Sequence, residues 1–166
     1  MTEARFSYLD RDIEFFDPLV ERHPSWEQPG GRWKKNDWHG VKKYIVTVPP
    51  ESADRTGVFA VFAVDLGKEL KQGYLGKTFE IVARPGQSAV LVVFNTFTWD
   101  GSTCSLDWTS KFASLVHDAL CIAANSGYKM DYEWKQRIYR DILRMQGFPS
   151  AWAYMRYVGL LAFNWI

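Results

Sequence analysis

The chain has 166 residues, 47 % of them hydrophobic, which is enough to build a core and excludes a disordered polypeptide. Twenty basic and nineteen acidic residues leave a formal charge of +1, which argues against wholesale coating of nucleic acid. The unusual figure is aromatic content: 8 Trp, 8 Tyr and 11 Phe supply large rigid side chains for a core, an interface or both.

In chain order, the first segment is an acidic head. Residues 1–21 hold six acidic residues against two basic ones, and residues 22–43 reverse this with six basic against two acidic. Such blocks either pair internally or solvate a face, and they also suit partners of opposite sign. Met1–Asp12 is polar and does not read as a secretory leader, so synthesis is expected in the cytoplasm. Residues 1–43, rich in Pro, Gly and Trp between His23 and Trp38, read as an irregular aromatic arm. Trp26, Trp33 and Trp38 in this arm are candidate partner-binding residues, since no core is expected to receive them. The bases interleaved with Trp over Arg32–His39 also resemble a single-strand stacking platform, but the near-neutral chain favours an arm anchored on protein.

Strand signals follow. Tyr44–Val48 alternates before Pro49-Pro50, and Val58–Val64 is a continuous apolar run of the kind buried on both faces. Thr78–Ala83 and Ser88–Phe94 flank Arg84-Pro85-Gly86-Gln87 and predict a hairpin. From Thr109 the period becomes helical. Thr109 or Ser110 is expected to cap a helix running to about Ala124, stopped by Gly127, with Ala113, Val116, His117, Leu120 and Ala124 on one face. Asp131 caps a second helix with the stripe Trp134, Ile138, Ile142 and Met145, ended by Gly147 and Pro149. Ser150 caps a third, from Ala151 to about Phe163, apolar on most sides; such a helix is either buried or bound to something. The segment Ala151–Ile166 is only 16 residues and contains Arg156, too short for a membrane span. Strands first and helices after predict an α+β fold: a small antiparallel sheet followed by three C-terminal helices. Residues 44–166 are expected to form one domain, with strands over 44–95 and helices over 109–164.

The sharpest local feature is Phe97-Thr98-Trp99-Asp100-Gly101-Ser102-Thr103, leading into the helix that carries His117-Asp118. Consecutive helical residues point about 100° apart, so His117 and Asp118 are expected to address two adjacent sites rather than pair side by side. Two cysteines, Cys104 and Cys121, are too few for a disulfide scaffold and read as reduced thiols. Cys104, His117 and Cys121 also suggest a zinc alternative, because His117 and Cys121 are spaced i, i+4, although the overall spacing fits no standard pattern. In the blander reading His117 is a hydrogen-bonded core histidine and Asp118 binds amides of the Asp-Gly turn.

The stretch from about Phe94 to Phe163 resembles a family of small phage and prophage proteins. The matching residues are Phe97, Asp100, Gly101, Ser102, His117, Asp118 and Leu120, with Arg137-Ile138-Tyr139 where that family has Arg-Ile-Phe. The family pattern is itself similar to the core of secreted phospholipase A2. That similarity implies His117 as general base, Asp118 as a calcium ligand, Gly101 in the calcium loop, and the residue at position 136 as the group orienting His117. Two positions depart from the pattern: Cys121 stands where the phage family has Tyr, and Gln136 stands where an Asp is expected. A neutral amide accepts a hydrogen bond from His117 but stabilises an imidazolium less than a carboxylate does. The resemblance implies a phage-encoded structural or accessory protein with a degenerate His-Asp site, reaching the virion after synthesis in the host cytoplasm. It would contact other virion proteins or itself through the arm and need no cofactor. The alternative is a calcium-dependent lipid or ester hydrolase.

Overall fold

The structure is a computed structural model describing residues 33–38, 41–46, 60–94, 96–100 and 111–163, with side chains from residue 63 to 162 within those ranges. The fold is α+β, strands preceding helices. Over the described residues it divides into two compact units, one ending at Thr98 and the other beginning at Trp99. The sequence led us to expect one domain over 44–166. Strand and helix segments are segregated along the chain, so each class supplies its own local contacts.

The first unit opens on β1 (Trp33–Trp38) and β2 (Val41–Val46), paired antiparallel from Trp33 opposite Val46 to Trp38 opposite Val41. This corrects the expectation of an irregular arm as far as residue 43. Trp38 pairs with Val41, so the two strands are close neighbours in sequence as well as in the sheet. Position 26 lies outside the described residues, while Trp33 and Trp38 occupy the two ends of β1.

A four-stranded sheet follows, from β3 (Ala60–Asp65), β4 (Tyr74–Leu75), β5 (Phe79–Val82) and β6 (Val90–Phe94), in the order β3-β6-β5-β4. Every neighbouring pair is antiparallel. All residues of β5 and β6 are buried, which explains why Val90–Phe94 is an unbroken apolar run rather than an alternating one. Ala63, Val82, Val90, Val92 and Phe94 form one apolar cluster. Phe79 stacks on Tyr74 with centroids 5.3 Å apart and meets Phe97 edge-on at 5.8 Å. The predicted β5–β6 hairpin is present, and the Gln87 amide donates to the Arg84 carbonyl at 3.1 Å, closing the turn. Thr96 adopts φ 73, a region that a β-branched residue rarely enters, and the Thr98 hydroxyl donates to the Thr96 carbonyl at 3.1 Å.

Beyond the two-residue strand β7 (Thr98–Trp99), the second unit contains α1 (Lys111–Asn125), α2 (Tyr132–Met145) and α3 (Ser150–Phe163). The expected caps at 109 and 110 lie outside the described residues. On α1 the buried set is wider than the expected stripe, adding Phe112, Leu115, Ala119 and Ala123 to Ala113, Val116 and Leu120. The helix ends as predicted. Gly127 takes φ 91, its amide donates to Ala124 and the Tyr128 amide to Ala123, which satisfies carbonyls that the last turn leaves open.

Asp131 caps α2 by accepting the Trp134 amide at 2.8 Å. Trp134 and Ile142 are buried as the stripe requires, but Met145 is 64 % exposed, because it lies in the last turn where the helix runs out. On α3, Ser150 is already helical, and the Pro149 carbonyl takes the Ala153 amide at 3.0 Å, so the cap falls one residue earlier than expected. Polar and aromatic contacts tie α2 to α3. The Tyr157 hydroxyl donates to Glu133 at 2.7 Å, the Arg156 guanidinium donates to the Tyr139 hydroxyl at 3.1 Å, and Arg140 lies over the Tyr157 ring. Among the described residues no helix is long and apolar enough to cross a membrane.

Two glycines of this unit should respond oppositely to alanine. Gly159 lies within α3 with nothing within 4 Å of an added Cβ, so Gly159→Ala is expected to stabilise by about 0.5–1 kcal/mol. Gly127 has equal space but a left-handed backbone, so Gly127→Ala should cost about 1–2 kcal/mol. Urea midpoints of the two variants check the signs.

Candidate functional site

Of the described constellation, Phe97 and Thr98 end the first unit, while Trp99, Asp100, His117, Asp118 and Gln136 belong to the second. Asp100 is exposed ahead of α1; residues 101, 102 and 104 lie outside the described residues. His117, Asp118 and Cys121 occupy consecutive turns of α1, and Gln136 faces them from α2. The nearby Trp99 indole donates to the Ser114 hydroxyl at 3.2 Å, and that hydroxyl donates to the Lys111 carbonyl at 2.7 Å, securing the start of the helix.

The His117 side chain is 12 % exposed and has partners on three sides. Its Nε2 lies 2.7 Å from Gln136 Oε1, an amide at the position where the resemblance led us to expect a carboxylate. Nδ1 lies 3.8 Å from Asp118 Oδ1. The expectation was that the two side chains address adjacent sites rather than pair side by side; their tips lie within ion-pair distance and beyond hydrogen-bond distance. The Cβ bonds diverge, but side-chain torsions bring the tips together. Cys121 Sγ is 3.8 Å from both ring nitrogens, the contact that i, i+4 spacing allows on one helix face. The Tyr139 ring meets the imidazole edge-on at 5.6 Å.

Electrostatics follow from these contacts. Burial alone would push His117 down, but the Asp118 carboxyl at 3.8 Å, the Cys121 sulfur and its charge, and the Gln136 oxygen outweigh it and raise it to about 9. Burial lifts the Asp118 carboxyl above its ordinary value despite the opposing pull of His117, and Asp100 adds like-charge repulsion. Burial would raise the Cys121 thiol, yet His117 and then Lys135 overcome this and lower it. The sequence reading noted the His117–Cys121 spacing and gave no part to Lys135, because nothing in a linear chain marks which residue of α2 will face α1.

This arrangement bears on each chemistry considered. A general base must present a lone pair at working pH. The shift of His117 up to about 9 works against that role, and its Nε2 is engaged by the Gln136 oxygen at 2.7 Å. Asp100 and Asp118 are the described oxygen donors near the loop, and among the described residues no group of three His, Cys, Asp or Glu side chains stands ready for a metal. An open cleft of about 560 Å³, lined by Arg140, Asp141, Arg144, Met145, Phe148 and Ser150, lies at the junction of α2 and α3 and does not include His117.

Compared with models of known protein families, with curated proteins and with solved structures, the chain matches none.

Proposed function

We propose that this chain is a phage-encoded structural or accessory protein of the virion that works through protein–protein contacts, its His-Asp site degenerate as a hydrolase. The observation that carries this reading is the outer face of α3. Tyr154, Met155 and Val158 are 57 %, 64 % and 42 % exposed, and together with exposed Ala151, Gly159 and Ala162 they form one apolar stripe along the helix. Ala153 and Tyr157, on the opposite side, are the buried positions that attach α3 to its own unit. A helix apolar on both sides has one face left for a partner. The small residues Gly159 and Ala162 let a partner helix approach closely beside the large anchors Tyr154 and Met155. The resemblance of Asp100-Gly101-Ser102 and His117-Asp118-x-Leu120 to the phage family supplies the setting, and a neighbouring virion protein is the partner that fits it.

The test is composition of assembled particles from the encoding phage or prophage. The chain is expected to co-purify with them, and Met155→Asp with Val158→Asp should reduce its occupancy at least tenfold while leaving circular dichroism unchanged. Purified particles that lack the chain would sink the proposal. So would calcium-dependent hydrolysis of phospholipid vesicles by the purified chain that disappears in His117→Gln.

A further inference from the structure

We propose that the outer face of α3 pairs with the same face of a second copy of this chain, the two helices lying antiparallel across a two-fold axis. The pairing rests on the reading of α3 as a contact face and specifies its neighbour as the chain itself. Seven large apolar side chains are exposed among the described residues. Leu75, Ile122, Tyr132 and Met145 are dispersed over β4, α1 and the two ends of α2, whereas Tyr154, Met155 and Val158 lie together on α3. At about 100° per residue these three share one side of the helix with exposed Ala151, Gly159 and Ala162. That side holds no charge. Arg156, the one charged residue of α3, donates to the Tyr139 hydroxyl of α2 and stands over the Trp152 ring at 4.1 Å.

The stripe is complementary to itself. Its bulky residues, Tyr154 and Met155, lie in the N-terminal half of α3, and its small residues Gly159 and Ala162 lie in the C-terminal half. When two copies lie antiparallel with Met155 facing the partner's Val158, Tyr154 falls opposite the partner's Gly159 and Ala151 opposite the partner's Ala162. The same contacts repeat on the other side of the axis, as a two-fold interface requires. A parallel pair would crowd two tyrosines at one end and leave a gap between two glycines at the other. Gly159 gives independent support. It lies in the helix interior, where glycine lowers helix stability, and among the described residues nothing lies within 4 Å of an added Cβ. No packing there calls for glycine, but a second helix backbone resting on it does.

Charge sets the same direction. α2 runs back along α3: the Tyr132 hydroxyl donates to the Leu160 carbonyl at 3.2 Å at one end, and Arg140, Asp141 and Arg144 line a cleft with Ser150 at the other. The Ser150 end thus carries two cations and one anion, while the Leu160 end carries Asp131 and Glu133 against Lys129. Antiparallel copies bring the positive end of each toward the negative end of its partner, whereas parallel copies bring like ends together. These groups stand on α2, behind the stripe, so they orient the encounter rather than bind across it. A standard interface covers about 800 Å² of each partner. One helix face roughly 21 Å long covers less, so a Kd of about 10–100 µM is expected.

Sedimentation equilibrium of the full-length chain, with circular dichroism as the control for folding, should show monomers and dimers only. Met155→Asp with Val158→Asp should weaken the dimer at least tenfold. So should Gly159→Leu, a better helix former whose side chain holds the two backbones apart. Met155→Lys and Val158→Glu should each be monomeric alone and associate when mixed, because position 155 of one copy meets position 158 of the other. A chain that remains monomeric at about 500 µM overturns the proposal. So do a dimer that tolerates these substitutions, a mixture of Met155→Lys and Val158→Glu that stays monomeric, and an open series of larger oligomers, which a two-fold contact does not build. A chain that pairs but is absent from particles loses its place in the virion and keeps the dimer. A monomer that occupies particles through the same stripe keeps its place in the virion and loses the dimer.

Discussion

Replacing His117 with Gln is expected to destabilise the chain on the order of 3 kcal/mol near pH 6, and much less near pH 9.5. The sign follows from proton counts. The folded state holds the His117 proton up to about pH 9, while the unfolded imidazole releases it near its ordinary 6.5. The contribution is therefore complete below 6.5 and disappears as pH rises through the folded value. Cys121 acts in the opposite sense. Its lowered thiol contributes stability that is present above its unfolded value and lost as pH falls through the folded one. Where both shifts hold, folding gives a proton to the imidazole and takes one from the thiol, so their slopes oppose and the wild-type curve is flatter than His117 alone would make it. Because His117→Gln also releases the thiol that His117 lowers, the informative quantity is the gap between Cys121→Ser and the Cys121→Ser, His117→Gln double variant, read from urea midpoints across this range. A gap that does not change with pH would show that His117 has no raised affinity for its proton.

That prediction draws on features legible to different degrees in the sequence. The i, i+4 relation of His117 and Cys121 is a matter of helix geometry. The contribution of Lys135 depends on how α2 is rotated against α1, which no local pattern encodes. The helices were readable because their boundaries are chemical: Asp131 offers a carboxylate to the Trp134 amide, and Gly127 takes a backbone shape that other residues resist. The β1–β2 hairpin was hidden because Lys34, Lys35, Asp37, Lys42 and Lys43 interrupt the apolar alternation by which strands are recognised. Its register puts Asp37 opposite Lys42, so the charges that disguise the strands are also compatible with their pairing. β4 was missed for another reason: Tyr74–Leu75 is too short to show any period, and it exists because it adds an edge to β5.

Phe79→Ala should be among the most damaging single substitutions in the first unit, costing about 3–5 kcal/mol, while Leu75→Ala on the neighbouring edge strand should cost less than about 0.5 kcal/mol. Phe79 is 1 % exposed and Leu75 is 53 % exposed, although only three residues separate them. The difference is also one of partners. Removing the Phe79 ring deletes a stacked contact with Tyr74 and an edge-on contact with Phe97 at once, and aromatic pairs contribute about 0.5–1.5 kcal/mol beyond the area they bury. The cavity cannot collapse easily. Its walls include Phe97, fully buried and held one residue after Thr96 with its unusual backbone, and β6, whose five residues are all buried. Leu75 instead ends a two-residue strand at the outer side of the sheet, where truncation leaves no void. Urea denaturation of both variants, followed by tryptophan fluorescence and far-ultraviolet circular dichroism, measures the contrast. Equal midpoints would mean that the Tyr74–Phe79–Phe97 stack does not hold the first unit together.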